Sequence, residues 1–97
     1  MFVTIRRYQV KGSMQEVGNR VQKGLIPIVS KQPGFHSYHA IDAGSNVALS
    51  VSVYDNRAAA EAANKAAAQW VHGNLSGLVG NVEVTMGEVL ASAGEPV

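Results

Sequence analysis

Three histidines, His36, His39 and His72, are the side chains of this sequence best suited to exchange a proton near neutral pH. His36 and His39 are three positions apart in a predicted strand, so their side chains point to opposite faces. No aspartate or glutamate stands at a ligand-like spacing from them, and the chain has no cysteine. We therefore predict no metal site, no thiol chemistry and no disulfide.

The strand that contains His39 is predicted to pair with a strand whose two faces differ. In residues 47–54, aliphatic side chains alternate with small, mostly hydroxylic ones, and a period of two indicates a strand. If a two-residue loop at positions 44–45 joins this strand to residues 35–42, four polar side chains share the small face: Ser37, His39, Ser50 and Ser52. A loop longer by one residue would reverse the faces.

An alanine-rich segment, residues 57–72, is predicted to form a helix above this small face. Asp55 or Asn56 caps its start, and Gly73 ends it. Its predicted inward stripe is Ala59, Ala62, Ala63, Ala66 and Trp70. Such an apolar roof over a few polar groups is the usual form of a small-molecule site.

We therefore predict a ligand pocket between this helix and the sheet, with His39 as the proton-transfer residue. The predicted substrate-binding residues are Tyr8, Ser37, His39, Ser50, Ser52 and Trp70. The same pattern is compatible with a dry core in which His39 only hydrogen-bonds Ser50, and in which Trp70 only anchors the helix.

Residues 2–10 are predicted to form the first strand, in which Arg6 and Tyr8 share one face. Together these two side chains could hold an anionic or phenolic ligand. Arg6 could equally form an ion pair with Glu83 or Glu88 of the last strand.

The order of the predicted elements is β-α-β-β-α-β. Ser13 and Glu16 match a capping box that starts a first helix over residues 14–30. Pro27 lies inside this helix and predicts a kink or a tighter last turn. Residues 82–90 form the last strand, with a bulge at Gly87. The order predicts an α+β, ferredoxin-like fold: a four-stranded antiparallel sheet with two helices on one face.

Composition limits the possible partners. The 97 residues form one domain, 1–97, whose tail from 91 to 97 is expected to be flexible. Basic residues are dispersed and the net charge is only +1, which argues against nucleic-acid binding. We predict no secretion signal or membrane span, and a cytoplasmic protein. Charged residues are only 15% of the chain, and no predicted strand has a charged face, which favours a homodimer.

Several stretches together resemble a known family. They are Pro33-Gly34-Phe35 with Tyr38, the run SVSVYDNRAAAEAAN over residues 50–64, Trp70, and Gly87-Glu88-Val89. With these features the chain resembles the antibiotic-biosynthesis-monooxygenase-like group of dimeric α+β barrels. The resemblance extends over nearly the whole chain, from residue 2 to residue 90.

The resemblance implies a homodimer whose two sheets form a barrel. It also implies a monooxygenase that needs no metal, flavin or other cofactor and acts on a small aromatic or quinol. The alternative is a non-catalytic dimeric module that binds a small ligand or is only structural. Haem degradation, a third activity in the group, is disfavoured. Haem-degrading members of the group use an asparagine of the first strand together with a tryptophan and a histidine of the second helix. Here the first strand has no asparagine. His72 is about 200° around the helix from Trp70, so these two side chains would not share a face.

Overall fold

A computed structural model describes residues 1–94 of the chain. Its elements follow the predicted order: β1 (Phe2–Val10), α1 (Met14–Arg20), a π-helical segment (Val21–Leu25), α2 (Ile26–Val29), β2 (Phe35–Gly44), β3 (Val47–Tyr54), α3 (Arg57–Asn74) and β4 (Val79–Glu88). Residues 91–94 have no regular secondary structure. The rest of the tail that we predict to be flexible, residues 95–97, lies outside the described residues.

The four strands form one antiparallel sheet in the order β2-β3-β1-β4. The even-numbered side chains of β1 are buried beneath the helices: Phe2, Thr4, Arg6, Tyr8 and Val10. We call this the covered face. On the opposite, open face, Ile5 and Ile41 remain 42% and 38% exposed. The predicted ferredoxin-like fold, with its helices on one face of the sheet, is confirmed.

The main core lies between the covered face and the two helical segments. The helices contribute Val17, Val21, Leu25, Val29 and Val71 to it, and Leu75 directly after α3 adds to them, next to Tyr8 and Val10 of β1. Leu25 and Leu75 are completely buried. Each such leucine stabilises the fold by roughly 1.5–3 kcal/mol through removal of its side chain from water. None of the helices in residues 1–94 is long and apolar enough to cross a membrane.

The pairing of β2 with β3 differs from the predicted one. His39 pairs with Val51, whereas Tyr38 pairs with Ser52. The turn residues are Ser45 and Asn46, both with positive φ, as a two-residue hairpin turn of this kind requires. The predicted turn is at residues 44–45, one position earlier. A turn moved by one position shifts the pairing of the two strands by two residues, which leaves each side chain on its predicted face.

A bulge beside the turn is what reverses the faces of β2. The register shifts between Asp42 and Gly44, so that Ala43 is the extra residue. The side chain of Asp42 stabilises this irregularity, since its Oδ1 accepts a hydrogen bond from the Gly44 amide at 3.0 Å. One extra residue turns every following side chain to the other face. The predicted placement of His39 and Ser37 on the covered face is therefore wrong.

The first helical segment widens where we predicted a kink or a tighter turn. The amide of Ile26 donates to the carbonyl of Val21, five residues back, which is a π turn. Pro27 then stands in the first turn of α2, where the proline's missing N–H is not needed. The helix accommodates Pro27 by widening before it, so the prediction of a tighter last turn is wrong.

The last strand also corrects the prediction. β4 begins at Val79, and Gly87 pairs in register with Val3, without the predicted bulge. The irregularity lies instead near the start of β4: Tyr8 pairs with Val82 and Val10 with Val79, so the extra residue is in β4. β4 therefore pairs along the full length of β1. A cleft lies between β4 and α3.

Candidate functional site

Arg6 is a charged side chain buried beneath α3. It is 4% exposed, because strand alternation places it on the covered face. Its Nη2 donates a hydrogen bond to the backbone carbonyl of Asn64 at 2.9 Å, and also contacts Asn64 Oδ1. The guanidinium therefore reaches the backbone of the helix above it.

Within residues 1–94, no carboxylate forms an ion pair with Arg6. The predicted partners are elsewhere: Glu83 lies opposite Arg7, and Glu88 forms an ion pair with the amino group of Met1, with 3.7 Å between Oε2 and the nitrogen. The predicted ion pair at Arg6 is therefore wrong. Burial of a charge without a counter-charge is costly. A buried cation without a counter-charge favours the binding of an anionic ligand.

A cleft of about 410 Å³ lies between α3 and β4, and Arg6 is in its wall. We call it the Arg6 cleft. Its other lining residues are Ala68, Val71, His72, Ser76, Val79, Gly80, Val82 and Val84. Most of this wall is apolar, and Val84 is 44% exposed. His72 lies in the last turn of α3, so the cleft combines apolar walls with one cation and one imidazole.

A second, smaller cavity of about 200 Å³ lies between α1 and the β2–β3 hairpin. We call it the tyrosine cavity, because Tyr8 and Tyr38 both line it. Each has a buried hydroxyl oxygen without a hydrogen-bond partner in the structure. Burial raises the pKa of Tyr38 far above its ordinary value. Tyr8 raises that pKa further, and the Ser50 hydroxyl and Arg6 lower it to a smaller extent.

The structure brings together only some of the predicted site residues. Tyr8, Ser50 and Ser52 are all buried on the covered face. Tyr8 and Ser50 line the tyrosine cavity, whereas the Ser52 hydroxyl lies 3.4 Å from the Thr4 carbonyl, to which it donates. Ser37 and His39 are on the open face, where His39 is exposed.

Trp70 is not the wall of a pocket above the sheet. The buried stripe of α3 is Ala60, Ala63, Ala67 and Val71, rotated by about one residue from the predicted stripe. Trp70 therefore points towards the first helical segment, where its ring packs on Gly24. The large indole fits this gap between the helices because Gly24 has no side chain, and the sheet side of α3 keeps only small residues and Val71.

Sequence reasoning missed Asn64, His72 and Tyr38 as site residues. Asn64 interrupts the alanines in the middle of this helix, a signal that was available. Tyr38 could be found only with knowledge of the bulge. Of the other histidines, His36 contacts the Asp55 carboxylate on the surface. No group of three His, Cys, Asp or Glu residues that could hold a metal ion is found in residues 1–94.

Comparison with solved structures supports the fold. A protein of unknown function from Nitrosomonas europaea matches with a TM-score of 0.79 at 14% identity, covering 99% of this chain and 95% of that one. SnoaB, a cofactor-independent oxygenase from Streptomyces nogalater, matches with a TM-score of 0.76 at 18% identity, covering 97% of each chain.

A further match is a variant of MhuD with two manganese protoporphyrin IX molecules bound per active site. Its TM-score is 0.73 at 16% identity, covering 97% of this chain and 99% of that one. These identities are too low to transfer an activity, and they show the fold alone.

Sequence comparison identifies the family. A search of curated proteins finds no match to this chain. The family model described as "Antibiotic biosynthesis monooxygenase" matches residues 1–69, which include Arg6, Asn64 and both tyrosines of the smaller cavity. The chain belongs to the antibiotic biosynthesis monooxygenase family.

Proposed function

We propose that this protein is a cofactor-independent monooxygenase that acts on a small aromatic molecule with an acidic hydroxyl, a phenol or a quinol. The substrate binds in the Arg6 cleft. The observation that carries the proposal is the buried guanidinium of Arg6, which has no carboxylate partner in residues 1–94. A phenolate is the counter-charge that an apolar cleft of about 410 Å³ could bind.

Arg6 would act by stabilising the ionised substrate. A phenol is a weak acid, and its anion reacts with oxygen far more readily than the neutral form. A fixed cation in a largely apolar cleft stabilises that anion more strongly than a cation in water does. His72, at the end of α3, is in the cleft wall and is the proposed proton acceptor. His39, the residue predicted from sequence, lies on the opposite face of the sheet.

The reaction balances with molecular oxygen as the oxidant. A phenol with a free para carbon loses its hydroxyl proton and its para hydrogen. One oxygen atom of O₂ becomes the new quinone carbonyl, and the other leaves as water. The protein's own residues are needed only to bind the phenolate, to orient it and to accept a proton.

Ionisation of a bound phenol tests the role of Arg6. We would titrate the protein with para-nitrophenol, whose anion is coloured, and measure the apparent pKa of the bound phenol. We expect a lower pKa on the protein than in water. Arg6→Met, which keeps most of the side-chain volume, should abolish this shift.

The matched control is Arg57→Met, which removes the same charge at the start of α3, outside the Arg6 cleft, where the Arg57 side chain is 73% exposed. A bound phenol with the same apparent pKa in Arg6→Met as in the native protein, or an equal loss of the shift in Arg57→Met, would contradict the proposal. Oxygen uptake with a panel of phenols and quinols then separates an enzyme from the alternative, a ligand-binding module. Binding without oxygen consumption would favour the module. The predicted cytoplasmic location stays a prediction.

We also propose that a second copy of the chain covers the open face. Ile5 and Ile41 are exposed there at 42% and 38%, and Val51 lies between their strands. A stable interface buries on the order of 800 Å² per partner, which a four-stranded sheet face can supply. Sedimentation velocity at micromolar concentration should give a dimer, and a stable folded monomer would refute this proposal.

A further inference from the structure

We infer that the tyrosine cavity is a second ligand site, which binds a small neutral molecule through a carbonyl oxygen. The class we assign is an aromatic ketone, aldehyde or quinone with a single ring. The cavity shares no lining residue with the Arg6 cleft, so this inference does not depend on the proposed oxygenase activity.

The first argument is the pair of unpartnered hydroxyls. Tyr8 is only 3% exposed, and among residues 1–94 the buried hydroxyl oxygens of Tyr8 and Tyr38 lack a hydrogen-bond partner of good geometry, the neighbouring Ser50 hydroxyl included. A buried hydroxyl without a hydrogen bond is destabilising. Two such groups in the wall of one cavity indicate a partner that enters from outside.

The second argument concerns the charge of that partner. The pKa of Tyr38 is raised by burial and by Tyr8, so its hydroxyl keeps the proton and acts as a donor. A carbonyl oxygen has two lone pairs and can accept from both phenols. Among residues 1–94, no cation lines this cavity, whereas Asp42 does. Arg6, which is near enough to lower the Tyr38 pKa, already donates to the Asn64 carbonyl. The lining therefore favours a neutral acceptor over an anion.

The third argument is the size and polarity of the cavity. Its walls are mainly apolar, with Met14, Val17, Val21 and Leu49 among them. Its volume is about 200 Å³, and an engineered cavity of about 150 Å³ in another protein binds benzene. One ring with a short carbonyl substituent is thus the largest ligand that fits comfortably.

Fluorine NMR of two matched probes tests the inference on the intact protein. The probes are para-fluoroacetophenone and its carbonyl-free analogue, para-fluoroethylbenzene. Two hydrogen bonds to the carbonyl predict that the ketone binds about ten-fold more tightly than the hydrocarbon. Tyr8→Phe and Tyr38→Phe should each remove most of this preference. Tyr54→Phe is the control, because Tyr54 is a buried tyrosine outside the cavity.

Each other outcome overturns the inference. Equal binding of the two probes would show that the hydroxyls bind water or nothing. A ketone preference that survives in both phenylalanine variants would place the ligand elsewhere. If those variants fail to fold, Ala40→Leu at the exposed rim of the cavity decides, since it must weaken ketone binding. Ala68→Leu, which narrows the Arg6 cleft and is not part of the tyrosine cavity, must leave ketone binding unchanged, or the probe occupies the Arg6 cleft instead.

Discussion

The close contact between Gly24 and Trp70 predicts that Gly24→Ala destabilises the fold, and the distances at this contact give the size of the effect. A Cβ atom added at Gly24 would lie 2.6 Å from Cζ2, 2.8 Å from Nε1 and 2.9 Å from Cε2 of Trp70. Carbon atoms in contact are normally about 3.5–4.0 Å apart. The indole or the helix must therefore move by about 1 Å in Gly24→Ala.

Two opposing effects determine the stability of this variant. Overpacking of this kind costs about 1–3 kcal/mol. Replacement of a helical glycine by alanine contributes about 0.5–1 kcal/mol in the other direction. We therefore expect Gly24→Ala to lower the free energy of unfolding by up to about 2.5 kcal/mol. Gly18→Ala in α1 is the matched control, because a Cβ there meets no atom within 4 Å. It should stabilise by about 0.5–1 kcal/mol.

The assay is urea unfolding followed by circular dichroism at one fixed protein concentration, since self-association would shift the midpoint. In a Trp70→Leu background the penalty of Gly24→Ala should largely disappear, which isolates the contact. If Gly24→Ala is as stable as Gly18→Ala, Trp70 does not pack on this helix.

Three further predictions follow from burial and charge. Val51→Asp should dissociate the proposed dimer or unfold the protein, because it buries an unpaired charge; an unchanged sedimentation coefficient would contradict this. Tyr38 keeps its proton in the folded state, whereas the unfolded side chain ionises near its ordinary pKa of 10.0. The free energy of unfolding should therefore fall as the pH rises above 10. Between about pH 9 and pH 11, the native protein should lose about 1.4 kcal/mol more of this free energy than Tyr38→Phe does, as measured by urea unfolding at each pH. Ala63→Leu, at a fully buried position, should lower stability by about 1–3 kcal/mol in thermal melts, whereas Ala68→Leu in the cleft wall should fold normally.

Elements set by local sequence were predictable. Ser13 caps α1, since its Oγ accepts from the Glu16 amide at 3.2 Å, and Asn56 caps α3 through the Ala59 amide at 2.9 Å. These bonds connect neighbours in the chain, so their residue types are sufficient to identify them. The same holds for the alternation in β1 and β3, and hence for the order of elements.

The candidate site was harder to predict, because it depends on two small displacements. One bulged residue, Ala43, decides whether His39 or Tyr38 lies beneath the helices. A rotation of α3 by about one residue decides whether Trp70 or Val71 faces the sheet. Neither displacement can be recognised from the spacing of apolar residues in the sequence. Both follow from packing between distant segments, which a single sequence does not display.

The buried position of Arg6 depends on the alanines of α3. A guanidinium on a strand can bond the backbone of a helix above it only if that helix lies close to the sheet. The buried positions Ala60, Ala63 and Ala67 allow this approach, because a larger side chain at any of them would lift the helix. Arg6 then donates to the Asn64 carbonyl at 2.9 Å and keeps donor capacity for a ligand in the cleft. The small-residue stripe is therefore better explained as the support that positions a cation than as the roof of an empty pocket.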